Sequence, residues 1–282
     1  MDRELVLAVL IALLCGGALT VSGSWLAGPP DTFDDPACER RAWRRLWLPF
    51  APALIILATL AGWALREPAS AERVPNFLLW SALPFAALFV RTAWRALRSL
   101  ASPDKGIAVA TVGVLRPRIV ISPRIVTALD RDALAAAIAH ERAHARHRDP
   151  LRLWLAQIGT DLLWPWPAAH SRLVSWKRAL ECARDDEARR TGADGPALAA
   201  AILIALRLTR ADTPSSGATL CGDEAFLKRR VLRLLQPLNT AAPRPKPSSL
   251  WRVVPALVAI SLAILAGSAF GEGVVRAFFG LV

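Results

Sequence analysis

His140-Glu141-Arg142-Ala143-His144 is the stretch on which the reading of this chain turns. Residues four apart on an α-helix lie on one face, so both imidazoles reach a single metal ion. Glu141 sits one position on, about 100° round the helix, where its carboxylate can take a proton from a metal-bound water. The ion expected is zinc, which at such sites takes three protein ligands and keeps one position for water or substrate. The segment predicts a helix, a metal, and general-base chemistry at Glu141.

The third ligand is sought downstream, in Arg178-Ala-Leu-Glu181-Cys-Ala-Arg-Asp185-Asp186-Glu-Ala188. Glu181 and Asp185 are spaced i, i+4 and share a helix face. Alone, such a pair marks a solvated surface. Following an HExxH, Glu181 reads as a metal ligand and Asp185 as the acceptor for the free ring N–H of a ligating histidine. Cys182 points about 100° away from Glu181 and reads as packing. His147 shares the face of His140 and His144, but a third ligand from the same helix closes a tetrahedral site poorly. The chain has no tyrosine, so a helper for the oxyanion falls to His170 or an arginine.

The surroundings are unusual for a soluble enzyme. Of 282 residues, 54% are hydrophobic and 21% charged, too apolar for an ordinary soluble domain of this size. The excess is concentrated in four runs, residues 5–27, 46–65, 77–90 and 253–270, each near the length that crosses hydrocarbon. Trp25, Trp43, Trp47, Trp94 and Trp251 lie near their ends, as interfacial anchoring predicts. The first run is not a cleavable signal, because Met1-Asp-Arg-Glu lacks net positive charge and the apolar stretch is long. Four membrane helices are expected.

Arginine bias orients them. The first loop carries Arg40, Arg41, Arg44 and Arg45, whereas Arg66 and Arg73 of the second are offset by Glu67 and Glu72. Residues 92–250 hold 25 Lys/Arg against 14 Asp/Glu, which is nearly all of the chain's net +12. The first loop and the long connection are therefore expected in the cytoplasm, the termini outside, and the whole chain in the inner (cytoplasmic) membrane as a multi-pass protein. The basic surface predicts attraction to the lipid bilayer's anionic headgroups, and with no nucleic-acid motif present no direct nucleic-acid binding is expected. Cysteines 15, 38, 182 and 221 form no disulfide framework.

Three units result: 1–98 with three membrane helices, 99–239 as a cytoplasmic metallopeptidase domain, and 240–282 as linker, fourth membrane helix and short external tail. Within the middle unit, residues 107–112 and 118–122 flank Gly113 and Pro117 as a small β hairpin. Thr127 or Asp130 then caps the HExxH helix, which Asp149-Pro150 interrupts. Residues 151–167 suit a buried or interfacial helix, 196–208 a core helix, and 224–235 an amphipathic helix with a basic face.

Taken together these segments resemble the BlaR/MecR-type regulatory membrane metallopeptidases, the antirepressor proteases of β-lactam-sensing receptors. The resemblance rests on Val114-Leu-Arg-Pro-Arg-Ile-Val-Ile-Ser-Pro123, on His140-Glu-Arg-Ala-His144 with Arg-His-Arg-Asp-Pro150, and on Trp164-Pro-Trp-Pro. Glu181-Cys-Ala-Arg-Asp-Asp186 and Arg230-Val-Leu-Arg-Leu-Leu235 complete it. It implies a mainly α membrane protein with a gluzincin-like zinc domain, ligands His140, His144 and Glu181, general base Glu141, and Asp185 supporting a ligand. It also implies regulatory proteolysis of a cytoplasmic repressor in signal transduction. The receptors' penicillin-binding sensor domain is not expected here, since only residues 271–282 follow the last apolar run, so a separate sensor protein is anticipated; a homodimer is another expected partnership. A membrane quality-control protease of the HtpX type is the alternative within enzymes, and a non-proteolytic membrane sensor with structural zinc the alternative outside them. The intact glutamate of HExxH argues against the latter, because a structural site needs no base.

Overall fold

The computed structural model describes residues 3–26, 38–66, 74–101, 109–212, 220–237 and 254–279, and is mostly helical with one two-stranded sheet. The first apolar run forms one continuous rod: α1 (Arg3–Leu10), a π segment (Ile11–Cys15) and α2 (Gly16–Trp25). After α3 (Cys38–Trp47), Pro49 sits in a single 3₁₀ turn and the apolar helix α4 (Ala51–Arg66) begins. Next comes α5 (Asn76–Ala101). Val6 and Leu10 pack against Leu60, Trp63 and Leu78, which binds the three rods together. Among the described residues, Glu4–Trp25, Cys38–Arg66 and Asn76–Leu100 are long and apolar enough to cross a membrane. The last helix, α12 (Val254–Phe279), contributes the shorter apolar stretch Leu257–Gly271.

α12 lies along α4 with backbones touching. A Cβ at Gly62 would stand 2.0 Å from Ile264 O, and one at Gly267 1.8 Å from Thr59 O. Small residues allow this approach, and in hydrocarbon such close packing replaces the missing hydrophobic drive between helices.

The hairpin expected from sequence is present as β1 (Val109–Val112) and β2 (Arg118–Ile121), antiparallel with Val109 opposite Ile121 and Val112 opposite Arg118. Gly113, at φ +95°, makes the turn. A separate short helix, α6 (Pro123–Ala128), contains Thr127, and α7 (Arg131–Arg146) starts only at Asp130, whose side chain accepts from Ala133 N at 2.7 Å. Asp130, rather than Thr127, is therefore the cap. Ala133, Ala136 and Ala143 are fully buried, so α10 (Gly195–Asp212) packs closely beneath α7.

α7 ends at a left-handed residue, Arg148 (φ 51°), and α8 (Asp149–Leu162) begins at once with Pro150 in its first turn. α9 (Pro167–Arg190) and α11 (Leu220–Leu235) complete the domain. α8 holds the end of α5 through Arg95–Asp161 at 3.1 Å and Trp154 Nε1 donating to Ala96 O at 3.2 Å. From α9, buried Arg172 donates to Arg45 O at 3.0 Å and reaches Gly23 O and Leu26 O at 3.4 Å. The ends of α2, α3 and α5 thus converge on the same pair of helices.

This docking revises the role expected of two tryptophans. Trp25 and Trp94 are exposed, consistent with a membrane interface, and Trp251 lies outside the described residues. Trp43 and Trp47 instead pack with fully buried Trp176, with ring centroids 4.8 Å apart for Trp43–Trp176 and 5.4 Å for Trp43–Trp47. They fill the joint between α3 and α9, because a large amphipathic ring serves a protein interior as well as a headgroup layer. The sequence interval 240–249, read as a linker, also lies outside the described residues.

Candidate metal centre

α7 presents His140 and His144 on one face, one turn apart, and both are buried. Their Nε2 atoms stand 3.1 Å apart, and Glu181 from α9 brings Oε2 to 3.5 Å from His140 Nε2 and Oε1 to 3.7 Å from His144 Nε2. One potential ligand atom from each residue lies within 4.8 Å of the other two. Ligand atoms about 2.0–2.1 Å from one tetrahedral zinc lie roughly 3.3 Å from each other. The three donors are already near that spacing and are of the nitrogen and oxygen types that zinc accepts, so the residues fit the ion.

The far side of each ring faces a carboxylate, through a hydrogen bond for His144 and as a close charge contact for His140. His140 Nδ1 stands 2.9 Å from Asp185 Oδ1, and His144 Nδ1 2.9 Å from Asp149 Oδ2. A ring whose Nδ1–H faces a carboxylate keeps the lone pair on Nε2, which is the tautomer a metal needs. Each supporting carboxylate is itself held. Asp149, fully buried, receives Arg184 at 2.5 and 3.0 Å and Arg152 at 3.1 Å. Asp185 receives Arg230 at 2.6 and 2.8 Å, and the same guanidinium reaches Glu181 at 2.8 Å.

Electrostatics follow from this geometry. Burial by itself lowers the His140 pKa, but the carboxylates of Asp185 and Glu181 outweigh it and hold the ring at about 9, above its ordinary 6.5. Burial would raise Asp149, Glu181 and Asp185, yet all three are lowered, Asp149 and Glu181 to well below the usual carboxylate range. His144 and Arg184 do this for Asp149; Arg230 and His140 do it for the other two. The ligand carboxylate is therefore ionised, and a divalent cation arriving here displaces a proton from His140.

Glu141 points towards a cleft of about 210 Å³. Its polar end is formed by His140, Glu141, Glu181 and Arg230; the rest is apolar, with Val109, Ile125, Leu198 and Ile202 in its walls. The Thr111 hydroxyl of β1 lies 2.7 Å from Glu141 Oε2. β1 is thus the strand that meets the glutamate.

All five residues singled out in the sequence come together here: His140, Glu141, His144, Glu181 and Asp185. His147 caps the C-terminus of α7 and pairs with Glu187 at 2.8 Å, away from the cluster. His170 is exposed in the first turn of α9, eleven residues before Glu181 and so roughly 16 Å from it along the helix axis. It cannot reach the site. Asp149, Arg184, Arg230 and Thr111 were not assigned from sequence. Asp149 had a visible signal, the break it makes with Pro150 five residues after His144; Arg230 had none beyond opening a familiar motif.

Residues 108–234 match the protein family described as BlaR1 peptidase M56. The match runs from the hairpin through most of α11 and contains every residue of the cluster. It bears out the resemblance read from the motifs and supports a BlaR/MecR-type peptidase over those residues. No curated protein and no solved structure matches the chain.

Proposed function

We propose that this membrane peptidase is a zinc metalloendopeptidase of the gluzincin type that cuts a cytoplasmic protein, a transcriptional repressor, in response to a signal. The observation that carries the reading is the convergence of two Nε2 atoms and the Glu181 carboxylate beside Glu141, at the polar end of an otherwise apolar cleft. His140, His144 and Glu181 hold the zinc, and Asp185 and Asp149 fix the imidazoles. When bound, zinc supplies Lewis acidity that polarises the scissile carbonyl and acidifies a water. Glu141 accepts that water's proton and delivers it to the leaving amine. Thr111 keeps the Glu141 carboxylate aimed across the cleft. Arg230, at the polar end of the cleft, is the cation best placed to meet the oxyanion. The apolar walls receive a hydrophobic side chain next to the cut bond.

We place the protein in the inner (cytoplasmic) membrane with four spanning helices, α12 being the fourth, and with the site on the cytoplasmic side. The units are those of the sequence, 1–98, 99–239 and 240–282. The docking of α3 on α9 supports a common side for the first loop and the peptidase helices, the two segments that the arginine bias assigns to the cytoplasm. The signal then arrives through the membrane helices or a separate sensor protein.

Quantitative proteomics of cells carrying the wild type or Glu141→Ala tests this. A transcriptional regulator that is cleaved only with the wild type is expected. If every cleaved protein is a misfolded membrane protein, the enzyme serves quality control instead.

A further inference from the structure

His144 is joined to the loop between the first two membrane helices by an unbroken series of charged contacts. Its Nδ1 meets Asp149 at 2.9 Å, Asp149 accepts from Arg152 at 3.1 Å, and the same guanidinium pairs with Glu39 in the first turn of α3. The Arg152 guanidinium lies against two neighbouring rings, 4.6 Å from the centroid of Trp43 and 5.4 Å from that of Trp176. Trp176 Nε1 also donates to Glu39 Oε1 at 3.2 Å. Glu39 and Asp149 are both buried, so neither charge is screened by water.

The arrangement divides one cation between two carboxylates. While Glu39 shares Arg152, that guanidinium meets Asp149 only at Oδ1 and leaves Oδ2 to His144 and Arg184. Without that share, Arg152 joins Arg184 on Asp149 alone, and the bond that orients His144 weakens. Beside the series lies a cavity of about 500 Å³ whose lining includes Glu39, Arg40, Arg152, Arg184 and Glu187.

We infer that Glu39 is a positioning residue for the metal ligand His144, and that α3 passes the arrangement of the membrane helices to the metal site through Arg152 and Asp149. A shift of α3 against α9 opens the Glu39–Arg152 pair and loosens the ligand. This rests on reading the cluster as a metal centre, and it adds the route by which that centre is regulated.

The test uses the full chain in detergent micelles with cobalt(II), followed by visible absorption and by competition with a chelator. Glu39→Gln is expected to weaken cobalt binding about tenfold, within the range of losses at supporting residues, and to shift the absorption bands. In an Arg152→Gln background the same change should have no further effect, because the shared cation is gone; a general loss of packing would persist there. Glu39→Asp repeats the measurement in a milder form should Glu39→Gln fold poorly. Unchanged affinity and spectrum in Glu39→Gln overturn the inference, as does an equal effect in both backgrounds. Wild-type protein that binds no cobalt overturns the metal-centre reading itself.

Discussion

Thr111 and Glu141 are tied across the cleft wall, with the threonine hydroxyl 2.7 Å from the glutamate's Oε2 and 2.9 Å from its main-chain oxygen. A hydroxyl has one proton to give, so the carboxylate and the carbonyl compete for it. The hairpin therefore sets how firmly the general base is aimed. Thr111→Val keeps the shape and removes the donor. A fall in kcat of about tenfold, or about 1.4 kcal/mol, is expected with KM and zinc content unchanged. Steady-state kinetics on a cleaved substrate peptide measure it, and an unaltered kcat would show that Glu141 needs no such support.

The roles of the two glutamates separate on metal content. Glu181→Ala removes a ligand and should leave the purified protein with little zinc, whereas Glu141→Ala should retain about one zinc and lose proteolysis. Elemental analysis of both variants decides the ligand assignment; normal cleavage by Glu141→Ala would refute the catalytic one.

Metal-free protein should lose stability as the solution turns alkaline. His140 is raised from 6.5 to about 9. The stabilisation from its protonated ring is thus fully present below 6.5 and lost as pH climbs through 9. With zinc bound the ring is already deprotonated, and this dependence disappears. Thermal unfolding of chelator-treated and zinc-loaded protein between pH 6 and 9.5 should diverge, with only the metal-free curve declining; parallel curves would count against the buried charge cluster.

Close packing of α4 on α12 leaves no room for a side chain at Gly267, where a Cβ would stand 1.8 Å from Thr59 O. Gly267→Val should therefore push the helices apart and cost about 1–3 kcal/mol. A lower melting temperature in detergent is the readout. Zinc content in the cold should be unchanged, because the ligands come from α7 and α9.

For the topology, reporter fusions after Val282 and within residues 240–249 should give opposite readings across the membrane. Identical readings would remove the fourth span.

Much of the metal centre was legible because local periodicity writes it out. The four-residue spacing of His140 and His144, and of Glu181 and Asp185, fixes a shared face before any tertiary contact forms. Even the break at Asp149-Pro150 could be read, since proline cannot continue the preceding helix.

What the sequence determined by itself, then, was which side chains share a helix face, His140 with His144 and Glu181 with Asp185, the glutamate beside the histidines, and the apolar rods. Tertiary structure alone decided the partners of the long side chains. Asp149 reaches back to His144 only because Arg148 turns left-handed and starts a new helix. Arg230 meets Asp185 from 45 positions away, and Arg152 meets Glu39 across 113. Among 35 basic and 23 acidic residues any opposite pair attracts, and no local repeat selects one. The choice comes from which helix faces dock, because only a pairing made where water is excluded holds two charges in place. The same docking drew Trp43 and Trp47 into the joint between α3 and α9, since burial rewards an aromatic ring whether lipid or protein covers it.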